Sequence, residues 1–337
     1  MPQQLRAAAL KNYAEVAQQQ GLNYLPLLHA AGLGMAMLAN PEQRIPASAA
    51  IALLEASAAQ SGCQTFGLRM AESRQLSHFG IISLLLAHQP TLRDALKTTM
   101  QYSHLLNELL AIHVEDVGKT VIIREELIGE NPTTSRQAIE LALGVLYRMC
   151  SALLGSHWNP YSINFTHAAP ADLQVHRRLF RCKLEFSQEF NGIICSADDL
   201  DFPNPGFDPA MAEHVRRYME SLPPSEHGSI ALEVRKAIFI LMPMGRATIE
   251  QVARGLGLNV RTLQRRLEEV GASFSELLNA VRSELALRYM ENRQYSLERV
   301  GALLGFAMPS SFTRWFRAEF DIAPRQWRQQ HKRSPRG

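Results

Sequence analysis

What most restricts this chain is a self-similarity confined to residues 248–317. Val252, Leu256 and Leu258 recur as Val300, Leu304 and Phe306, 48 positions on, and Leu263 and Leu267 recur as Phe312 and Phe316, 49 positions on. Thr248-Ile249-Glu250 matches Ser296-Leu297-Glu298, Ala253 matches Gly301, and Gly257 matches Gly305. The extra residue of the second copy falls within Ala307-Met308-Pro309. Each copy predicts two short helices and a tight turn. Thr248 and Ser296 are the expected N-caps, with Gln251 completing a capping box in the first copy. Val252 and Leu256 then share one face. Gly257 falls where the chain must adopt a positive φ, and Ala253 is small because the second helix crosses close over it.

The second helix of each copy buries two apolar residues and turns polar ones outward. In the first copy the outward set is Asn259, Arg261, Thr262, Gln264 and Arg265; in the second it is Ser310, Ser311, Thr313, Arg314 and Arg317. These are donors suited to base edges and phosphates in a major groove. Between the copies, Ser273-Phe274-Ser275-Glu276 is a second capping box, opening a helix that runs to about Glu291. At ~1.5 Å per residue such a helix of ~18 residues spans ~27 Å, against ~34 Å between successive major grooves on one face of DNA. One chain could then read an asymmetric site without dimerising. A helical repeat protein would also explain the leucines and small turn residues, but not two copies alone with basic outward faces.

Charge agrees. Residues 230–337 hold 18 Lys+Arg against 10 Asp+Glu, a net of +8; the rest of the chain holds 35 − 18 = 17 against 32 − 10 = 22, a net of −5. A basic C-terminal part joined to an acidic N-terminal one points to a polyanionic partner for the former. The break coincides with Leu222-Pro223-Pro224-Ser225-Glu226-His227-Gly228-Ser229, whose prolines stop a helix and whose small polar residues favour an exposed connection. The expected domains are 1–221, a linker over 222–229, and 230–331.

Before the linker the pattern is mixed. Helices are expected over 3–19 (closed by Gly21), 46–60, 76–88, 91–107 with Thr91 as N-cap, 133–154 and 172–180. Ile112–Val117 and Thr120–Leu127 around Gly118 predict a hairpin, and 161–166, 184–187 and 192–196 further strands. The fold class is therefore an α+β N-terminal domain, helix-rich with a small, mostly antiparallel sheet. It is followed by an all-α C-terminal domain with two helix-turn-helix units joined by a linker helix.

Other chemistry finds little support. Gly32-Leu33-Gly34 lacks the third glycine of a dinucleotide fingerprint and follows no strand. His78, His88, His104 and His113 have no metal-binding spacing, and there is no G-x-S-x-G elbow and no P-loop. Neither a catalytic residue, a metal nor a cofactor is expected. Cys63, Cys150, Cys182 and Cys195 form no C-x-x-C pair and read as reduced thiols. No signal peptide is apparent, and the longest uninterrupted apolar stretch, Ile81–Ala87, is too short to span a bilayer, so the expected place is the cytoplasm. Arg69 and Arg74 could stand near a pocket, though a solvated helix end explains them better; Tyr102 and His104 could face a cavity or form a satisfied, partly buried pair.

Residues Thr248–Arg328 resemble the AraC/XylS family of bacterial transcription regulators. The resemblance rests on Leu263-Gln264-Arg265-Arg266-Leu267, Leu303-Leu304-Gly305-Phe306, Ser311-Phe312-Thr313-Arg314-Trp315-Phe316 and Pro324-Arg325-Gln326-Trp327-Arg328. Gly301 departs from it, since the family more often has Ala there. More loosely, residues 20–205 resemble the arabinose-binding-type effector domain of the branch that includes ornithine-utilisation regulators, through Pro90-Thr91-Leu92-Arg93-Asp94-Ala95-Leu96. The resemblance implies double-stranded promoter DNA as partner, a small-molecule effector, and activation through RNA polymerase. It names no effector residue. Two alternatives stay open: control by a partner protein or by dimerisation without a ligand, a homodimer included, and an enzyme domain fused to a DNA-binding one.

Overall fold

The computed structural model describes residues 3–129, 135–221 and 229–331. The chain divides into two compact units, Met1–Glu226 and His227–Gly337. The expected linker, apart from Ser229, lies outside the described residues, as do the first two residues, 133 and 134, of the long helix expected there.

The first unit begins with β1 (Gln4–Arg6), antiparallel to β2 (Arg44–Pro46). Around this ribbon lie α1 (Tyr13–Gln19), α2 (Tyr24–Ala30), α3 (Met35–Ala39), α4 (Ala47–Ser61) and α5 (Phe66–Glu72). The single helix expected over 3–19 is thus a strand, a 3₁₀ turn and a helix. Asn12, at φ 64°, breaks the run, a conformation that asparagine tolerates better than most residues. Likewise Gly80, at φ 64°, splits 76–88 into a 3₁₀ turn at Leu76–Phe79 and α6 (Ile82–Ala87).

Then come α7 (Leu92–Gln101), capped by the Thr91 hydroxyl accepting from the Asp94 N–H, and α8 (Ser103–Leu106). The hairpin β3 (Leu110–Val117) and β4 (Thr120–Leu127) follows, turning at Gly118 with φ 66°. After α9 (Arg136–Leu154) the chain makes β5 (Ser162–Asn164), α10 (Gln174–Phe180), β6 (Lys183–Glu185), β7 (Gly192–Ser196), α11 (Ala197–Asp201) and α12 (Pro209–Ser221). The five-stranded sheet runs β3-β4-β7-β5-β6 and is antiparallel except between β5 and β6.

Helix α9 organises this unit. Arg136–His157 is long and apolar enough to cross a membrane, with a mean hydropathy of 1.5, but 67% of its most apolar window is buried against the rest of the fold. It presses on α5 through two glycines. A Cβ on Gly144 would lie 2.4 Å from the Ala71 Cβ, and one on Gly67 would lie 2.0 Å from the Gln137 carbonyl oxygen. The Gln137 side chain seals the contact by accepting from the Gly67 N–H at 2.9 Å.

The second unit is helical throughout its described residues: α13 (Ile230–Leu241), α14 (Ile249–Gly255), α15 (Val260–Glu269), α16 (Phe274–Glu291), α17 (Leu297–Leu303), α18 (Pro309–Phe320) and α19 (Pro324–Gln330). Helix α16, 18 residues long, is the axle. Its Ser273–Glu276 capping box forms in both directions, as the sequence predicts. Arg235 of α13 is ion-paired with Glu284 of α16. On the other side the Arg282 guanidinium donates to the Leu304 carbonyl at 3.2 Å and lies 4.9 Å from the centre of the Phe306 ring.

Candidate functional site

Pairs α14–α15 and α17–α18 are built alike. Thr248 accepts from the Gln251 N–H at 3.3 Å, and Ser296 from the Arg299 N–H at 3.0 Å. Only this half of the first capping box forms, because the Thr248 N–H that the Gln251 side chain would take up donates instead to the Arg246 carbonyl at 2.8 Å. The Glu250 carboxylate is held below its ordinary pKa by its own backbone N–H and then by the Thr248 hydroxyl. Gly257 and Gly305 both turn the chain at positive φ, 66° and 80°. Val252 and Ala253 pack under Leu263 and Leu267; Val300 and Gly301 pack under Phe312 and Phe316, and all eight are buried. The larger second core continues through Phe306, Trp315 and Phe320 to Trp327.

Because those residues face inward, the opposite sides of α15 and α18 face out. Arg261, Gln264, Arg265, Ser310, Thr313, Arg314 and Arg317 are exposed; Thr262 and Ser311 are half-buried. Asn259 is exposed, yet its side-chain oxygen caps α15 by accepting from the Thr262 N–H at 2.8 Å, which leaves only its amide N–H groups free to reach outward. Arg265 is held to Glu269 at 2.9 Å. The Thr313 hydroxyl donates to the Pro309 carbonyl at 3.0 Å. Among the described residues Arg261, Arg314 and Arg317 are in no ion pair, so their guanidinium charge is available to an anion. Ser310, Thr313, Arg314 and Arg317 line one shallow surface depression.

A cavity of about 140 Å³ lies inside the first unit. Its walls come from β1 and the turn after it, α4, the segment after α5, the inner face of α9, and the β3–β4 hairpin. Most of the lining is aliphatic; Arg6, Arg74, Gln75, His78, Thr99, Asn107 and Glu125 interrupt it. Arg74, 4% exposed, donates to the Ala8 and Ala9 carbonyls, and burial lowers its pKa to about 10. Arg6 pairs with Glu42. His78 is pushed below its ordinary pKa by burial and by the charge of Arg74. Glu125, 3% exposed, is pushed up to about 8 by burial and by Glu126, and its Oε2 has no hydrogen-bond partner.

Arg74 therefore lines a pocket rather than capping a solvated helix end, since the chain folds back at Ser73 to meet the Ala8–Ala9 carbonyls. Arg69, Tyr102 and His104 do not line this cavity, although His104 contributes its carbonyl to Arg44 at 2.9 Å. Sequence reasoning passed over Glu125. The usable signal was phase: it continues the inward alternation of Val121 and Ile123, where an apolar residue belongs.

Comparison with known proteins agrees with both halves. Residues 21–204 match the arabinose-binding domain found at the N-terminus of AraC transcription regulators, and residues 252–330 match a helix-turn-helix domain. The transcriptional regulator VirS of Mycobacterium tuberculosis is 25% identical over 326 residues, covering 96% of each chain. The ornithine utilization regulator of Pseudomonas aeruginosa is 24% identical over 319 residues, 94% of this chain and 93% of that one. The urease operon transcriptional activator of Escherichia coli is 32% identical over 92 residues, 27% of this chain and 31% of the other. The crystal structure of the regulator CdpR from P. aeruginosa aligns over 93% of this chain and 98% of its own, with a TM-score of 0.44 and 21% identity. With the first match spanning more than half of its length, the chain belongs to the AraC family of transcription regulators, a DNA-binding regulator with an N-terminal ligand-binding domain.

Proposed function

We propose that this regulator activates transcription when a small molecule occupies its N-terminal domain, and that both helix pairs are DNA-binding units. In this reading α15 and α18 enter neighbouring major grooves on one face of the duplex, spaced by α16. Arg261 and Arg314 read base edges; Arg317, Arg265 and the starts of the two helices at Asn259 and Ser310 hold phosphates, with Thr262, Gln264, Ser311 and Thr313 filling the grooves. RNA polymerase is the partner through which the bound protein acts, in the cytoplasm. Activation is favoured by the likeness, over 92 residues of this chain, to the urease operon transcriptional activator of Escherichia coli.

The observation that carries this reading is the recurrence of one exposed basic face, Arg261 on α15 and Arg314 with Arg317 on α18, on helices that flank α16 in the chain. Fluorescence anisotropy of the full chain on promoter and scrambled duplexes, across salt concentrations, tests it. The expected result is a preference for the promoter of about 10³-fold or more, with log affinity falling linearly in log salt. Binding to neither duplex at low salt would refute it.

A further inference from the structure

Within the reading that the first unit senses a small molecule, the cavity wall specifies what kind. Its volume of about 140 Å³ is close to that of an apolar cavity able to hold one benzene ring, ~150 Å³. The buried part of an occupant is therefore about the size of a benzene ring. A pentose fits this lining poorly despite the family's name. Each buried hydroxyl needs a partner, and the walls are mainly Ile51, Leu54, Leu110, Leu141 and Leu146 with a few polar atoms. The Thr99 hydroxyl is already committed to the Ala95 carbonyl at 2.9 Å.

The polar groups divide by charge. Arg6 carries its own counter-ion, Glu42. Arg74 is in no ion pair among the described residues; its terminal nitrogens reach only two carbonyls, and its buried Nε has no partner. A buried guanidinium without a carboxylate is costly unless an anion completes it. We propose that the cavity is the effector site and that it takes a small carboxylic acid with an apolar body, an aromatic ring or a short aliphatic chain, whose carboxylate pairs with Arg74. Glu125, across an apolar lining and kept in its uncharged form by burial, does not oppose that anion and can donate a hydrogen bond.

Isothermal titration and thermal melting of the full chain test the proposal with benzoate, hexanoate, benzamide, benzylamine and L-arabinose. Benzoate or hexanoate should bind and raise the melting temperature, at least tenfold more tightly than benzamide, with benzylamine and arabinose weaker still. Arg74→Gln should erase the preference for benzoate over benzamide, whereas Glu125→Gln should keep it. If the Arg74 variant does not fold, the ranking on the unaltered chain decides alone. Preference for benzylamine, preference for arabinose, or no binding of either carboxylate at millimolar concentration would overturn it. DNA binding measured on the same preparation without any probe separates this failure from failure of the DNA-binding reading.

Discussion

Gly301 lies directly beneath Phe312: a Cβ added to Gly301 would stand 3.1 Å from the Phe312 Cβ and 3.3 Å from its Cγ. In the first pair the same two places hold Ala253 and Leu263. The pair with the larger residue on its second helix has the smaller one on its first. The glycine at 301 thus leaves room for the phenylalanine that crosses it.

Gly301→Ala gains helix propensity of ~1 kcal/mol but overpacks a rigid aromatic cluster at a cost of ~1–3 kcal/mol. The net expectation is a loss of about 1 kcal/mol in the second unit. Adding Phe312→Leu should relieve the contact, so that Gly301→Ala costs less on that background. Urea unfolding followed by fluorescence of Trp315 and Trp327 measures both; identical costs on the two backgrounds would reject the coupling.

Arg282 joins α16 to the second pair through the Leu304 carbonyl and the Phe306 ring. Arg282→Ala should cost ~1–2 kcal/mol of stability in that unit. Arg282→Lys should recover little, since an ammonium lacks the planar fork that both contacts use. A lysine variant as stable as the parent chain would show that charge alone matters there.

Arginines of one outward face need not do one job. Arg261→Ala should weaken promoter binding by ~1–3 kcal/mol and relax preference at one base position. Arg317→Ala should weaken promoter and scrambled DNA alike, and reduce the salt slope by ~1. Gel shifts on both duplexes across salt distinguish the two; an equal loss on both for Arg261→Ala would make it a phosphate contact.

Glu125 makes the stability of the first unit depend on pH. Its folded-state pKa, raised to about 8 by burial and by Glu126, lies above that of an unfolded carboxyl near 4.5. The folded state therefore holds a proton that the unfolded state releases, and the contribution is complete below pH 4.5 and lost as pH rises towards 8. Glu125→Gln removes that slope, so its stability relative to the parent should rise by a few kcal/mol, to order of magnitude, between pH 5 and pH 8. Unfolding monitored at Trp158, buried in the first unit, reads the difference; an unchanged gap would refute it.

The second unit was legible because its constraints are local. Caps at Thr248, Ser273 and Ser296, glycines at 257 and 305, and apolar spacing each act within a turn or two of chain, so sequence order nearly equals structural order. The first unit was legible where the same held, as in the Gly118 hairpin and the Thr91 cap. It was not where distant segments decide. Gln4–Arg6 reads as helix until Arg44–Pro46 arrives to pair with it. Arg74 reads as solvated until Ala8 and Ala9 cover it. α2, α3 and α11 are five to seven residues long and carry weak patterns of their own. Of the site, the exposed arginines followed from periodicity, whereas the side-chain commitments of Asn259, Arg265 and Thr313 depend on rotamers that a pattern does not encode.

Hydroxyl-radical footprinting of the full chain on its promoter tests the central claim most directly. Two protected segments about one helical turn apart, ~10–10.5 base pairs, should appear on one face of the DNA. Arg261→Ala should weaken one of them and Arg314→Ala the other. A single protected segment, or both variants weakening the same one, would contradict the placement of α15 and α18 in neighbouring grooves.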